Sequence, residues 1–143
     1  MSFSIDRIQH CLTVAKQMYN KALKESGNEQ YANEMFHLGL VHDIGYQFTE
    51  NATEHAFIGG IALKNENYKY WEEVYEHGEP NVINPSKELL LLDWADMHTD
   101  AKGNIVSFNE RINDIGTRYG FTSTQYKAAK EMIKFLEENG LGE

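Results

Sequence analysis

His42-Asp43-Ile44-Gly45 belongs to a longer series of residues able to hold a cation, with His10 before it, His55 and His77 after it, and Asp96 closing an apolar run. Imidazole nitrogens and carboxylate oxygens are the ligand types of catalytic first-row metal sites. A carboxylate among apolar residues is costly unless something positive neutralises it. The candidate metal ligands are therefore His10, His42, Asp43, His55, His77 and Asp96.

Such residues can converge only if rigid elements carry them. Two prolines, and glycines mostly at segment ends, predict helices joined by short turns and no strands. The first helix is predicted over residues 4–25, with Ile5, Ile8, Leu12, Ala15 and Tyr19 on one apolar stripe and Cys11, Val14 and Met18 on a second arc. His10 lies off the main stripe, beside Val14 and Phe3. The second helix is expected from residue 28 through His42-Asp43, with Gly45 ending it in a left-handed conformation. Asn51 and Glu54 read as the capped start of a helix carrying His55, Ile58, Gly59 and Ala62, where Gly59-Gly60 would admit a close neighbour. A helix over residues 66–76 delivers His77. Asn84-Pro85 is expected to open the most apolar helix, Leu89-Leu90-Leu91-Leu92, which should be central. Residues 99–104 read as a loop. Ser107 with Glu110, and Thr122 with Gln125, read as capping boxes for the last two helices, the second ending near Gly140.

On these helices His42 stacks over Met35, Leu38 and Gly39, and Asp43 over Phe36, Gly39 and Leu40. Both polar groups end apolar stripes, where a solvated pair would not sit. Asp96 stacks on Leu92 and Leu89. Asp93, one turn earlier, competes with it as a ligand or as a carboxylate orienting a ligand histidine. His37 reads as structural and His98 as a contact behind the ligands or with substrate. Lys16, Lys64, Lys102 and Arg111 are candidate phosphate-binding cations that spacing does not rank. Tyr68, Tyr70, Trp71 and Tyr75 read first as packing residues, with base stacking as the alternative.

The 143 residues, 41% hydrophobic, suit one domain with its own core. The N-terminus lacks a signal-peptide pattern, there is no apolar run long enough to span a bilayer, and the single cysteine, Cys11, fits a reducing compartment as a small core residue. The expectation is a soluble cytoplasmic protein. A net charge of -9 argues against binding duplex nucleic acid. It leaves room for a small anion, because a bound divalent cation reverses the local field.

With its elements in place, the series resembles the HD superfamily of metal-dependent phosphohydrolases, in particular its HDIG-bearing members. The likeness covers residues 8–115. It rests on His10-Cys-Leu-Thr-Val-Ala, His42-Asp-Ile-Gly, Glu54-His-Ala-Phe-Ile-Gly-Gly-Ile-Ala, Glu76-His-Gly-Glu-Pro and Trp94-Ala-Asp-Met. A four-letter motif alone is weak; the ordered series of six is strong. The resemblance implies an all-α, single-domain bundle of six to seven helices over residues 1–143. It implies that His10, His42, Asp43 and Asp96 bind one divalent metal, and that Asp43 bridges to a second held by His55 and His77. Asp43 and His42 would be central to catalysis. It resembles the small bacterial hydrolases of dinucleoside polyphosphates.

The implied activity is hydrolysis of a phosphate ester or anhydride in a small nucleotide-like substrate by a metal-activated hydroxide. One or two ions fit, and Fe, Mn, Mg, Zn, Co and Ni all remain open, as do the substrate-binding residues and the oligomeric state. Two alternatives use the same ligands: a di-iron oxygenase and a non-catalytic metal-binding module. Two departures narrow the family. A single His77 followed by Gly78 stands where cyclic-dinucleotide phosphodiesterases have paired histidines, and Tyr46 stands where many HDIG proteins have lysine.

Overall fold

The computed structural model describes residues 4–143. Among them are seven α-helices and one 3₁₀ turn, with no strand beyond an isolated bridge between Thr99 and Ile105. Local chemistry sets most of the helix ends. α1 (Ile5–Ser26) starts where Ser4 Oγ accepts the Arg7 N–H and stops at Gly27, whose φ of 66° is left-handed. α2 (Glu29–Val41) is capped by Asn28. α6 (Phe108–Tyr119) has the expected capping box of Ser107 and Glu110.

Several boundaries differ from the sequence expectations. α2 ends at Val41, so His42 and Asp43 lie past its last turn and lead into the 3₁₀ turn Ile44–Gln47. Gly45 is not left-handed; its role is steric, described below. α3 (His55–Asn65) begins four residues after Asn51, whose Oδ1 instead accepts from Thr53 N–H and Oγ1–H and shapes the turn before the helix. The helix expected over residues 66–76 is only α4 (Trp71–Glu76), because Asn67 adopts a left-handed φ of 60°. α5 (Lys87–Met97) is capped by Ser86, while Asn84, at φ 53°, turns the chain ahead of it. α7 (Thr124–Glu138) is capped by Ser123 rather than Thr122, since the Ser123 hydroxyl reaches Tyr126 N–H.

α1 packs on α2 through its Val14–Met18–Ala22 side, joined by Ala32, Met35, Leu38, Val74, Leu91, Leu92 and Ala95. Gly39 lets the two helices cross closely, since a Cβ there would lie 2.5 Å from Ala15 Cα. The stripe expected to face the core is split. Ala15 is buried, but Ile5, Ile8 and Leu12 face outward because α2 and α5 cover the other side of α1. That side also buries His10 and Cys11. Phe3, the neighbour expected for His10, lies outside the described residues. α5 is central as expected: its opposite side, with α6 and α7, encloses Met97, Phe108, Met132, Phe135 and Leu136. No helix among the described residues is long and apolar enough to cross a membrane.

Candidate metal centre

All six candidate ligands converge between α1, the end of α2, the start of α3, the end of α4 and α5. Asp43 is the hub. Its Oδ2 lies 3.6 Å from His10 Nε2 and 3.4 Å from His42 Nε2; its Oδ1 lies 3.1 Å from His55 Nε2 and 3.4 Å from His77 Nε2. One carboxylate thus divides four imidazoles into two pairs. Asp96 joins the first pair, with Oδ1 2.9 Å from His10 Nε2 and 3.6 Å from His42 Nε2.

The other ring nitrogen of each histidine meets a backbone carbonyl. Nδ1 of His42, His55 and His77 donates to the carbonyl three residues earlier, of Gly39, Ala52 and Val74, at 2.6, 2.8 and 2.6 Å. His10 Nδ1 donates at 2.8 Å to Asp100, ninety residues away. A carbonyl can only accept, so each Nδ1 carries a hydrogen and each ring presents its Nε2 toward Asp43. This is how metal-binding histidines are held.

Two features test whether a cation fits. His55 Nε2 and His77 Nε2 lie 3.1 Å apart, and two lone pairs facing each other at that distance need a proton or a cation between them. His42 Nε2 is fully buried with no hydrogen-bond partner among the described residues. The contacts of 2.9–3.6 Å also match a coordination polyhedron: metal–ligand bonds of about 2.1 Å place adjacent ligand atoms about 3.0–3.4 Å apart. The donor set and its spacing fit a metal ion.

Charge inside the cluster is strongly coupled. Burial works against the imidazolium forms of His10, His42 and His77, yet the adjacent carboxylates hold all three above the ordinary histidine value. Burial likewise opposes ionised Asp43 and Asp96, and the histidines still hold both well below the usual carboxylate range. The two carboxylates therefore persist as anions at neutral pH.

Asp93 and Asp96, alternatives in the sequence, separate in space. Asp96 points at His10 and His42. Asp93 accepts the Gly78 N–H at 2.9 Å and so fixes the turn that follows His77, where Gly78 has a φ of 84°. Burial pushes the Asp93 carboxyl up to about 7. His98 is not at the cluster: it stacks on Phe108 and donates to the Val106 carbonyl, tying the loop after α5. His37 is exposed on α2.

Glycines set the spacing. A Cβ on Gly45 would collide with the His55 carbonyl oxygen and come within 2.7 Å of its carbonyl carbon, and a Cβ on Gly59 would in turn lie 2.8 Å from Gly45 N. The Gly59-Gly60 approach expected from sequence is present, Gly60 lying against Tyr75 of α4. Bare backbone here brings Asp43, His55 and His77 together.

A cavity of about 420 Å³ opens over the cluster, lined by His10, His55, His77 and Asp96 and walled by α6 and α7. Sequence reasoning missed Arg7, whose Nη1 donates to Asp43 Oδ2 at 2.8 Å while its guanidinium covers the Tyr46 ring at 3.9 Å. Tyr46 in turn stacks on His55 at 4.2 Å. The available signal was position: Arg7 precedes His10 by three residues on one helix face. Of the candidate phosphate-binding cations, Arg111 lines the cavity. Lys16 borders a separate groove and Lys64 covers Trp71. Lys102 is not among the cavity-lining residues. Tyr68, Tyr70, Trp71 and Tyr75 do not line the cavity either and pack among themselves and Phe57.

No family model, curated protein or solved structure matches the chain. What is established is an all-helical domain with a buried His/Asp cluster that could hold metal.

Proposed function

We propose that this chain is a metal-dependent phosphohydrolase of the HD type, cleaving a phosphate ester or anhydride of a small nucleotide-like substrate. The observation that carries the reading is Asp43, whose two oxygens split four histidines into two metal-sized sites beneath a cavity lined by arginine. His10, His42, Asp43 and Asp96 would hold one ion; Asp43, His55 and His77 would hold the other. When bound, a pair of divalent cations supplies a hydroxide-like nucleophile near neutral pH and neutralises charge on phosphoryl oxygens.

The chain's own residues do the rest. Arg7, part-exposed beside Asp43, can donate to a phosphoryl oxygen from the cavity side. Tyr46, its phenol pushed up to about 12 by burial and by Asp43, stays protonated and buttresses His55. Asp93 fixes the turn that carries His77. α6 and α7 wall the cavity beside the cluster.

The test is elemental analysis of anaerobically purified protein joined to a phosphate-release screen over nucleotides, dinucleotides and simple phosphate esters. Two ions per chain with phosphate release are expected, and Asp43→Ala should remove both together. Iron with substrate-dependent oxygen consumption would replace this reading with an oxygenase. Bound metal with no turnover across the screen would leave a binding module.

A further inference from the structure

The chain contains only three arginines, Arg7, Arg111 and Arg118, and all three line the cavity over the His/Asp cluster. None of its ten lysines does. In a protein of net charge -9 this sorting is informative, because guanidinium is the planar, multi-donor cation suited to phosphate, whereas lysine is a point charge. Arg7 stands at the cluster, with Nη1 on Asp43 Oδ2. The other two stand on α6, seven residues apart and so on one face, with Ile115 between them.

Neither α6 arginine is saturated. Arg111 is mostly buried, and its Nε is shielded from solvent with no acceptor among the described residues. Its Nη1 lies 3.7 Å from Asp114, and Arg118 Nη2 lies 3.5 Å from the same carboxylate oxygen. One half-exposed aspartate thus shares two guanidiniums through long contacts, leaving their remaining donors for a further acceptor. The acidic lining residues, Glu79, Asp93 and Asp96, come from the segment after α4 and from α5. Beside the arginines the wall is apolar, with Met97, Ala129 and Met132.

We propose that Arg111 and Arg118 form a second anion subsite in this cavity, so that the ligand carries two phosphoryl groups, one directed to the cluster and one to α6. The inference rests on the phosphohydrolase reading and deepens it: substrates with a second phosphoryl group are preferred over those with one.

The experiment measures binding to metal-saturated protein by calorimetry, using AMP and ADP, which differ by one phosphoryl group. Wild type should bind ADP at least about tenfold more tightly than AMP, the effect of a charge-assisted hydrogen bond. Arg111→Gln and Arg118→Gln should each erode that ratio, the double variant should abolish it with metal content unchanged, and Arg111→Lys should restore part of it. Equal affinity for AMP and ADP in the wild type, no binding of either, or an undiminished ratio in a folded double variant would overturn the proposal. An arginine-dependent ADP preference without any phosphate release would instead retain the subsite and refute the hydrolase.

Discussion

Gly45→Ala is the most economical perturbation of this centre, because it adds one methyl group and touches no ligand. The new Cβ would overlap the His55 carbonyl oxygen and sit 2.7 Å from the His55 carbonyl carbon and 3.0 Å from Gly59 N. Ordinary carbon contacts need about 3.5–4.0 Å, so the 3₁₀ turn and α3 must part by about 1 Å. All three obstacles are backbone, so no flexible side chain can yield. An overpacking cost of about 1–3 kcal/mol follows, which lowers Tm by about 2–12 °C for a chain of this size. The same displacement opens the 3.1 Å contact between Asp43 Oδ1 and His55 Nε2. That exceeds the tolerance of about 0.5 Å for a metal or catalytic constellation, so affinity at the Asp43/His55/His77 position should fall about 10–100-fold. The His10/His42/Asp96 position should keep its ion. Thermal unfolding together with elemental analysis at limiting free metal reads both effects. An unchanged Tm with two ions still held at wild-type affinity would refute the steric argument.

The converse lesion is Gly103→Ala. Gly103 has a φ of 88°, and a Cβ there would press on the Gln9 carbonyl at 2.6 Å. The loop holding the Asp100 acceptor for His10 should loosen, and the first ion should weaken while the second remains; loss of both together in metal titrations would count against it. Asp93→Asn should retain metal, since a carboxamide oxygen still accepts from Gly78, and above pH 7 it should be neutral or stabilising because it removes a buried carboxyl raised to about 7. Asp96→Asn should instead lose the first ion, and the reverse pattern in metal content would exchange their roles. In chelator-treated protein, Asp43 and Asp96 have depressed folded values, so their stabilisation is present above an unfolded value of about 4 and lost in acid; His10, His42 and His77 have raised values, so theirs is complete below about 6.5 and lost as pH rises. Its Tm should therefore fall between pH 6 and pH 8, whereas saturating metal, which needs unprotonated imidazole, should remove that decline. A chelated protein whose Tm rises over this interval would contradict the charge assignment.

The fold class was legible because 3.6-residue periodicity and the Ser107 capping box are local signals, and the structure follows them. Periodicity could not tell which of two apolar arcs on α1 faces inward. The partner helix decides that, and it chose Cys11, Val14 and Met18 over Ile5, Ile8 and Leu12. His10 looked weakest from sequence for the same reason, yet it lies at the cluster. Helix starts near Asn51, Asn84 and Thr122 were misplaced because several polar residues compete for each cap and only backbone geometry selects among them. Arg7 offered only its position three residues before His10, and Arg118 offered nothing, since a guanidinium gains meaning only when a carboxylate or a cavity is placed beside it.

The carbonyl acceptors of the four imidazoles differ in one respect that bears on how the centre assembles. His42, His55 and His77 are aimed by the carbonyl three residues back, so forming each local turn already orients the ring. His10 is aimed by Asp100, ninety residues further along the chain, and only after the loop has docked on α1 through Thr13–Gly103 and Gln17–Thr99. Three rings can thus be oriented by short-range structure, while the fourth waits for the longest-range closure in the centre. A nascent or partly opened chain would present half of the centre before the other half exists.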